Sequence, residues 1–463
     1  MASAAQTVTN TGESYGTPGY RAYVLGSLTL IYTLNFVDRI LISVVGRPII
    51  DEFGLSNFQF GILSGIGFVL FYTTLGIPIA RLSERVSRVR IIGVCVILWS
   101  VATILCGYTI GFVTLLLARL AVGIGEAGCT PPANSLISDY FKSNVRPTAL
   151  GIYAMGVMLG SVFAQLAGGY ILKFFTWREA FIYVGAPGVV IGLLCLMTIK
   201  ELPRGYSDPP GTKASERGTL REAMTEIAKS KTFWFIAAGM SMATFGGYGL
   251  TSFKSLYIQY NFGMGPADAA IQYMAPISFA GALGAPLAGY LIQKFSPKLH
   301  RATIWLPATG FLLSAPLLML GFMTNSLNVM FIAFLTAGLF QYFYLGATYS
   351  VVQSVVDLRV RATAIAILLF ITNLIGYGGG PPFVGAVADY LAAGHIQALG
   401  LEQALTASCS PADNALTAQL QASCIEAKAY GTKWASVMGS AIFLFASLLF
   451  FLAGRYYLAE KKV

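Results

Sequence analysis

The chain has 463 residues and a formal net charge of +10, with 56% apolar and only 11% charged residues. Soluble domains carry about 25% charged residues, so the composition excludes an ordinary cytosolic enzyme, and with it disorder, collagen, a disulfide-rich secreted scaffold and a nucleic-acid binder. Apolar runs about 20 residues long recur throughout, matching a bilayer core about 30 Å thick, and the 50 glycines suit close helix packing in lipid. These features point to an all-α polytopic membrane protein.

In chain order, residues 1–20 are polar, lack the apolar stretch of a signal peptide, and read as a cytoplasmic tail. Twelve transmembrane helices are expected near residues 22–46, 58–80, 91–110, 112–138, 146–172, 179–200, 231–258, 268–293, 302–323, 327–352, 360–391 and 433–457. Residues 201–230 form the longest polar stretch between spans, with five basic and five acidic residues. They divide the chain into a bundle at 21–200, a cytoplasmic linker at 201–230 and a second bundle at 231–457, followed by a cytoplasmic tail at 458–463. Residues 392–432 form a long outer loop. With the N-terminus inside, 22 Lys/Arg fall on the cytoplasmic side and five on the outer side (Arg47, Lys173, Arg178, Lys428, Lys433). This bias places both termini in the cytoplasm and the protein in the plasma (inner) membrane. It also accounts for the positive charge, since basic loops lie against an anionic leaflet.

Cys95, Cys106, Cys129 and Cys195 fall inside spans, where a thiol behaves as a small apolar residue. Cys409 and Cys424 lie in the outer loop, in an oxidising compartment, and are expected to form a disulfide. The alternative is two free thiols.

The two halves resemble each other. The block from Ala80 through Glu84 and Arg85 to Ser87 recurs from Gly289 through Gln293 and Lys294 to Ser296, at an offset of 209. Val145-Arg146 with Thr148-Ala149 recurs as Val360-Arg361 with Thr363-Ala364, at an offset of 215. Two parallel six-span repeats are the architecture of major facilitator transporters. Ala80, Glu84-Arg85, Ser87-Arg88 and Arg90 form a degenerate version of that superfamily's signature after span two. Arg119 with Gly123 and Gly125 resembles its span-four pattern. Span five has the glycine spacing of the antiporter motif, but Ala164-Gln165 stands where that motif has Gly-Pro; Gly380-Pro381 appears instead in span eleven. Asn35 with Asp38-Arg39, the run Gly123 to Ala127 including Glu126, and Gly61 through Phe71-Tyr72 to Pro78 resemble the Spinster family. That resemblance implies movement of lysolipids or sphingoid phosphates such as sphingosine-1-phosphate. Anion–cation symporters share Asp-Arg in span one and remain the nearest competitor.

Asp38, Arg39, Arg119 and Glu126 stand out without any family. Asp, Lys or Arg at a helix centre costs roughly 2.5–3.5 kcal/mol on insertion scales. Such residues must therefore face a wet cavity or pair. Arg119 and Glu126 share a helix face, with Gly123 between them leaving room for a neighbouring helix or a ligand. Asp38 and Arg39 are about 100° apart and point different ways. We expect Asp38 and Glu126 to respond to protons and Arg39 and Arg119 to serve as charge partners for a substrate headgroup. Structural ion pairs are the plainer alternative. Lys254, behind Gly246-Gly247-Tyr248-Gly249 where span seven could bend, is a further headgroup candidate, or a lysine reaching the interface. The superfamily signature implies a cytoplasmic gate at Glu84, Arg85, Arg88 and Asp139. The aromatic run Phe340 to Tyr344 reads as packing.

The sequence has no phosphate loop and no Gly-x-Ser-x-Gly. Its two histidines, His300 and His395, are in loops and suggest no metal site. No cofactor and no enzymatic activity are expected. The leading reading is a monomeric, proton-coupled secondary transporter of an amphiphilic lipid-like molecule, working by alternating access. A carrier of a small organic anion and a non-transporting membrane sensor are the alternatives.

Overall fold

The computed structural model describes residues 14–208, 220–297, 299, 301–357, 359–406, 409 and 416–461. Lys213, Arg217, Lys298 and Lys462, four of the basic residues counted to the cytoplasmic side, and His300 lie outside them. All regular structure among the described residues is helical. In the first half, α1 is Pro18–Val44, α2 joins Asn57–Ser64 to Ile66–Leu82 across Gly65, and α3 is Arg88–Cys106. Then α4 joins Phe112–Glu126 to Thr130–Tyr140, α5 is Arg146–Phe174 and α6 is Trp177–Thr198.

The second half opens with α7, Lys231–Phe262, and α8, which runs from Pro266–Asp268 through a π-helical Ala269–Met274 into Ala275–Phe295. Next come α9, Ala302–Met323, and α10, Leu327–Gln341 joined to Leu345–Val355. The last two are α11, Arg361–Thr372 continued through a π-helical Asn373–Tyr377 into Gly378–Ala398, and α12, Ala418–Glu460.

Helix starts follow local chemistry. Thr17 accepts from Tyr20 N–H ahead of Pro18 in α1, Ser56 and Gln59 close a capping box on α2, and Ser87, Ser230 and Thr417 cap α3, α7 and α12. Each such cap satisfies a backbone donor that a helix end leaves open.

Eleven of these helices are long and apolar enough to cross a membrane. The twelfth expected span, α7, is a 32-residue helix that falls short in apolar character because it carries Ser241, Thr244, Thr251, Ser252, Lys254, Ser255 and Gln259. Its Gly246 to Gly249 segment is helical throughout, without a break. Those glycines admit neighbours: a Cβ on Gly249 would lie 3.1 Å from the Gly380 carbonyl oxygen.

The halves pack by the same rule. α1 lies on α5 as α7 lies on α11, α2 on α4 as α8 on α10, and α3 on α6 as α9 on α12. We call the side holding the start of α1 and the end of α12 the near side. The halves meet at the far side, where a Cβ on Gly61 would come within 2.4 Å of the Pro381 carbonyl oxygen and one on Gly385 within 2.2 Å of the Asn57 carbonyl oxygen. The apolar core of the first half runs on through this seam to Phe253, Leu256, Tyr377, Val384 and Ala388 of the second.

Candidate functional site

Four charged side chains meet inside the first half. Arg39 Nε of α1 donates to Glu126 Oε2 of α4 at 2.7 Å, with side-chain exposures of 6% and 0%. Asp38, about 100° round α1 from Arg39, is within the charge field of both Glu126 and Arg119 and beside Trp99 and Thr103 of α3. Arg119 Nη1 donates to the Asp38 carbonyl oxygen at 3.3 Å. Asn35, one turn before Arg39, reaches Glu126. Gly123 is occupied by a neighbouring helix: a Cβ there would lie 2.3 Å from the Phe68 carbonyl oxygen of α2.

The group is bonded incompletely. Asp38 Oδ1, Glu126 Oε1, Arg39 Nη2, Arg119 Nε and Nη2, and Asn35 Oδ1 are buried and have no hydrogen-bond partner in the protein. Most buried polar atoms in native proteins are satisfied, so such a concentration of exceptions calls for a partner from outside the protein, either water or a bound group.

Aromatic rings enclose Arg39. Its guanidinium carbon lies 4.8 Å from the Phe36 centroid, 4.9 Å from Phe68 and 4.2 Å from Tyr72. Such cation–π contacts are worth about 0.5–2 kcal/mol each. Tyr377 of α11 lies 5.6 Å from Phe68 across the two halves and stacks on Tyr248 of α7 at 3.9 Å. Tyr32 stacks on Tyr153 at 4.6 Å. Sequence reasoning missed Tyr377 and treated Tyr248 only as part of a bend. The available signal was a tyrosine with glycine on both sides, at Gly247-Tyr248-Gly249 and Gly376-Tyr377-Gly378, which lets a ring stack where helices approach closely. Tyr377 also ends the π-helical turn of α11, a distortion frequent at functional sites.

Lys254 is buried and its Nζ lies 5.7 Å from the Phe334 centroid of α10, within the second half. The run Phe340 to Tyr344 packs within its own half, with Phe343 on Phe340 at 5.5 Å and Tyr344 on Phe311 at 5.3 Å.

Arg88 and Asp139 are brought together and buried. Arg88 Nη1 donates to Asp139 Oδ2 and, at 3.0 Å, to Ser135 Oγ; Nε donates to Glu201 Oε1 at 2.7 Å and Nη2 to the Leu202 carbonyl oxygen at 2.6 Å. Asp139 also accepts from Gly205 N–H at 2.8 Å. Glu84 and Arg85 lie exposed in the turn before α3. Burial pushes the Glu201 carboxyl up, but Val89 N–H, the Ser87 hydroxyl and Arg88 outweigh it and hold the group below its usual range. Glu201 and Leu202 belong to the polar segment after α6, which sequence reasoning took only as a linker.

Cys409 and Cys424 are disulfide-bonded, and Cys95, Cys106, Cys129 and Cys195 are free and buried. Among the described residues, no cluster of three His, Cys, Asp or Glu side chains is arranged to hold a metal ion.

Known proteins resemble this architecture and sequence. The profile of the Major Facilitator Superfamily matches residues 28–381. An MFS-type efflux pump of Mycolicibacterium smegmatis is 30% identical over 372 residues, covering 79% of this chain and 84% of that one. The sphingosine-1-phosphate transporter of Mus musculus is 24% identical over 380 residues, covering 79% and 69%. A crystal structure of a bacterial homolog to the human lysosomal transporter Spinster, inward-facing and unoccupied, superposes with a TM-score of 0.89 at 40% identity, over 97% of this chain and all of that one.

Proposed function

The chain belongs to the major facilitator superfamily, as a transporter related to the Spinster proteins, and from that premise we propose that it moves an amphiphilic, lipid-like substrate by alternating access coupled to protons. Lysolipids and sphingoid phosphates are the substrate class, and the protein acts as a monomer. Its six-helix bundles occupy 21–200 and 231–457, joined by a cytoplasmic linker at 201–230, and both termini lie on the cytoplasmic side of the plasma (inner) membrane.

The observation that carries this reading is the buried, incompletely bonded quartet of Asp38, Arg39, Arg119 and Glu126. A buried carboxyl is driven toward its neutral form by desolvation and toward its charged form by a nearby guanidinium. Moving the guanidinium therefore moves the proton, so a change of cavity shape and a change of protonation are linked. The arginines stay charged, and their open donors suit an anionic headgroup, bidentately for a phosphate. Apolar and aromatic walls from both halves suit an acyl chain. Lys254 serves the second half as a further positive charge. Glu84 and Arg85, exposed before α3, act at the near side when the halves close there, and the buried Arg88–Asp139 pair holds the end of α3 that carries them. Paired charges at helix ends contribute only about 0.3–1 kcal/mol each when exposed, yet states a few kcal/mol apart respond to a few such pairs.

Uptake of a radiolabelled lysophospholipid and of a small organic anion into proteoliposomes under an imposed pH gradient tests the reading. Gradient-dependent accumulation of the lysophospholipid supports it. Accumulation of the anion alone points to the small-anion carrier, and binding without accumulation to a sensor.

A further inference from the structure

Three long helices begin against a carboxylate supplied by a distant part of the chain. Glu201 accepts from Val89 N–H at 3.0 Å at the start of α3. Glu460 accepts from Lys231 N–H and Thr232 N–H, each at 3.1 Å, at the start of α7. Asp389 accepts from Asn57 N–H at 2.9 Å, Asn57 Nδ2 at 2.8 Å and Phe58 N–H at 2.8 Å at the start of α2. A carboxylate there satisfies donors that the helix leaves open and meets the positive end of its dipole. Glu201 follows α6 and serves α3, and Glu460 ends α12 and serves α7, so each of these acts within one half. Asp389 sits on α11 and serves α2, so it alone of the three joins the halves.

We propose that Asp389 is the latch of the far side: its carboxylate on the first turn of α2 holds the halves closed there, and the outward-open state requires those bonds to break. The surrounding contacts are of the same kind. Arg47, in the short helix Gly46–Phe53 after α1, donates to the Gln259 carbonyl oxygen of α7 at 3.4 Å and lies 5.0 Å from the Tyr260 centroid. Burial raises the Asp51 carboxyl, while Lys428 of α12 and Arg47 pull it down, so Asp51 and Lys428 attract each other across the seam. Lys173 of α5 lies 3.8 Å from Asp268 of α8. Asp389 differs from these in making three hydrogen bonds with one carboxylate to a helix end, a geometry that a hinge motion of a few ångströms abolishes at once. Gly385, one turn earlier on α11, lets the Asn57 backbone approach, so the latch is built from a carboxylate and the glycine that brings the helix end to it.

The proposal rests on the alternating-access reading, and the experiment separates the two. Spin labels on the exposed far-side positions Ile110 and Asn325, and on the exposed near-side positions Val86 and Phe295, report both seams in the full chain in nanodiscs. Asp389→Asn keeps the shape of the side chain and removes its charge, and Gly385→Ala wedges the same contact from the other side. Each should raise the ratio of far-open to far-closed molecules about tenfold or more, the scale set by losing hydrogen bonds to a charged group. The near-side distances should shorten in step. Glu460→Gln weakens the same device inside one half and should leave both distance distributions as in the wild type.

If the wild type redistributes with pH or lysophospholipid but both latch variants keep its populations, the latch is overturned while alternating access stands. If the wild type never redistributes, yet Asp389→Asn still opens the far side, the latch stands and the transport reading fails.

Discussion

The first half holds two buried arginine clusters that differ in how completely they are bonded. Arg88 directs Nε, Nη1 and Nη2 to Glu201, Asp139 with Ser135, and the Leu202 carbonyl oxygen. Arg39 and Arg119 leave Nη2 of the one and Nε and Nη2 of the other without partners, beside open oxygens on Asp38 and Glu126. A saturated network rigidifies, and an unsaturated one in low dielectric is costly unless something else completes it. We take the first as the fastening that fixes α3, α4 and the segment after α6 to one another, and the second as the place where substrate and protons act.

That contrast is sharpened most by Arg119→Ala. Removing a headgroup donor should abolish lysophospholipid binding, read by scintillation proximity on purified protein, with the melting temperature lowered far less than by Arg88→Ala. Arg88→Ala should do the reverse. It strands Asp139 and Glu201, and breaking a buried pair by removing one partner costs about 3–5 kcal/mol, seen as a large drop in melting temperature in detergent. Equal losses of stability in the two variants would erase the distinction.

A smaller effect is expected from Cys409→Ser combined with Cys424→Ser. Opening a loop of about 15 residues removes up to about 3 kcal/mol, and this should appear as faster proteolysis of the far-side loop with transport retained.

The smallest effect concerns acid. Because the Glu201 carboxyl is held below its usual range, its contribution to stability is complete above the unfolded value near 4.3 and fades as pH falls through the lower folded value. The melting temperature of Glu201→Gln should therefore lie below that of the wild type at neutral pH and converge with it toward acid. Parallel curves at all pH values would mean that Glu201 fastens nothing by its charge.

The spans were legible in the sequence because an apolar run of bilayer length, repeated many times over, suits a membrane and little else. The quartet was legible because charge inside such a run is costly. The partners of Arg88 were hidden, since Glu201 and Leu202 lie in a polar segment whose return to the start of α3 is a matter of tertiary structure. Asp389 was hidden for the same reason, one aspartate near the end of a span whose partner is a helix terminus rather than another side chain. At Gly246 to Gly249 the sequence suggested only that the helix could bend, whereas glycine in a membrane helix serves close packing as readily as flexibility, and Gly249 admits the backbone of α11. The tyrosines around Arg39 carried a weak signal in their flanking glycines, meaningful only once α2, α7 and α11 are known to converge.

The central claim is that protonation of the quartet drives the transport cycle. The most direct measurement is the pH dependence of lysophospholipid transport in proteoliposomes for Asp38→Asn and Glu126→Gln, with the wild type alongside. Both variants should fold, bind lipid and lose the pH dependence, because a carboxamide keeps the shape of the acid without its proton equilibrium. Wild-type pH dependence retained in both would contradict the account and leave Asp38 and Glu126 as structural ion pairs in a uniporter.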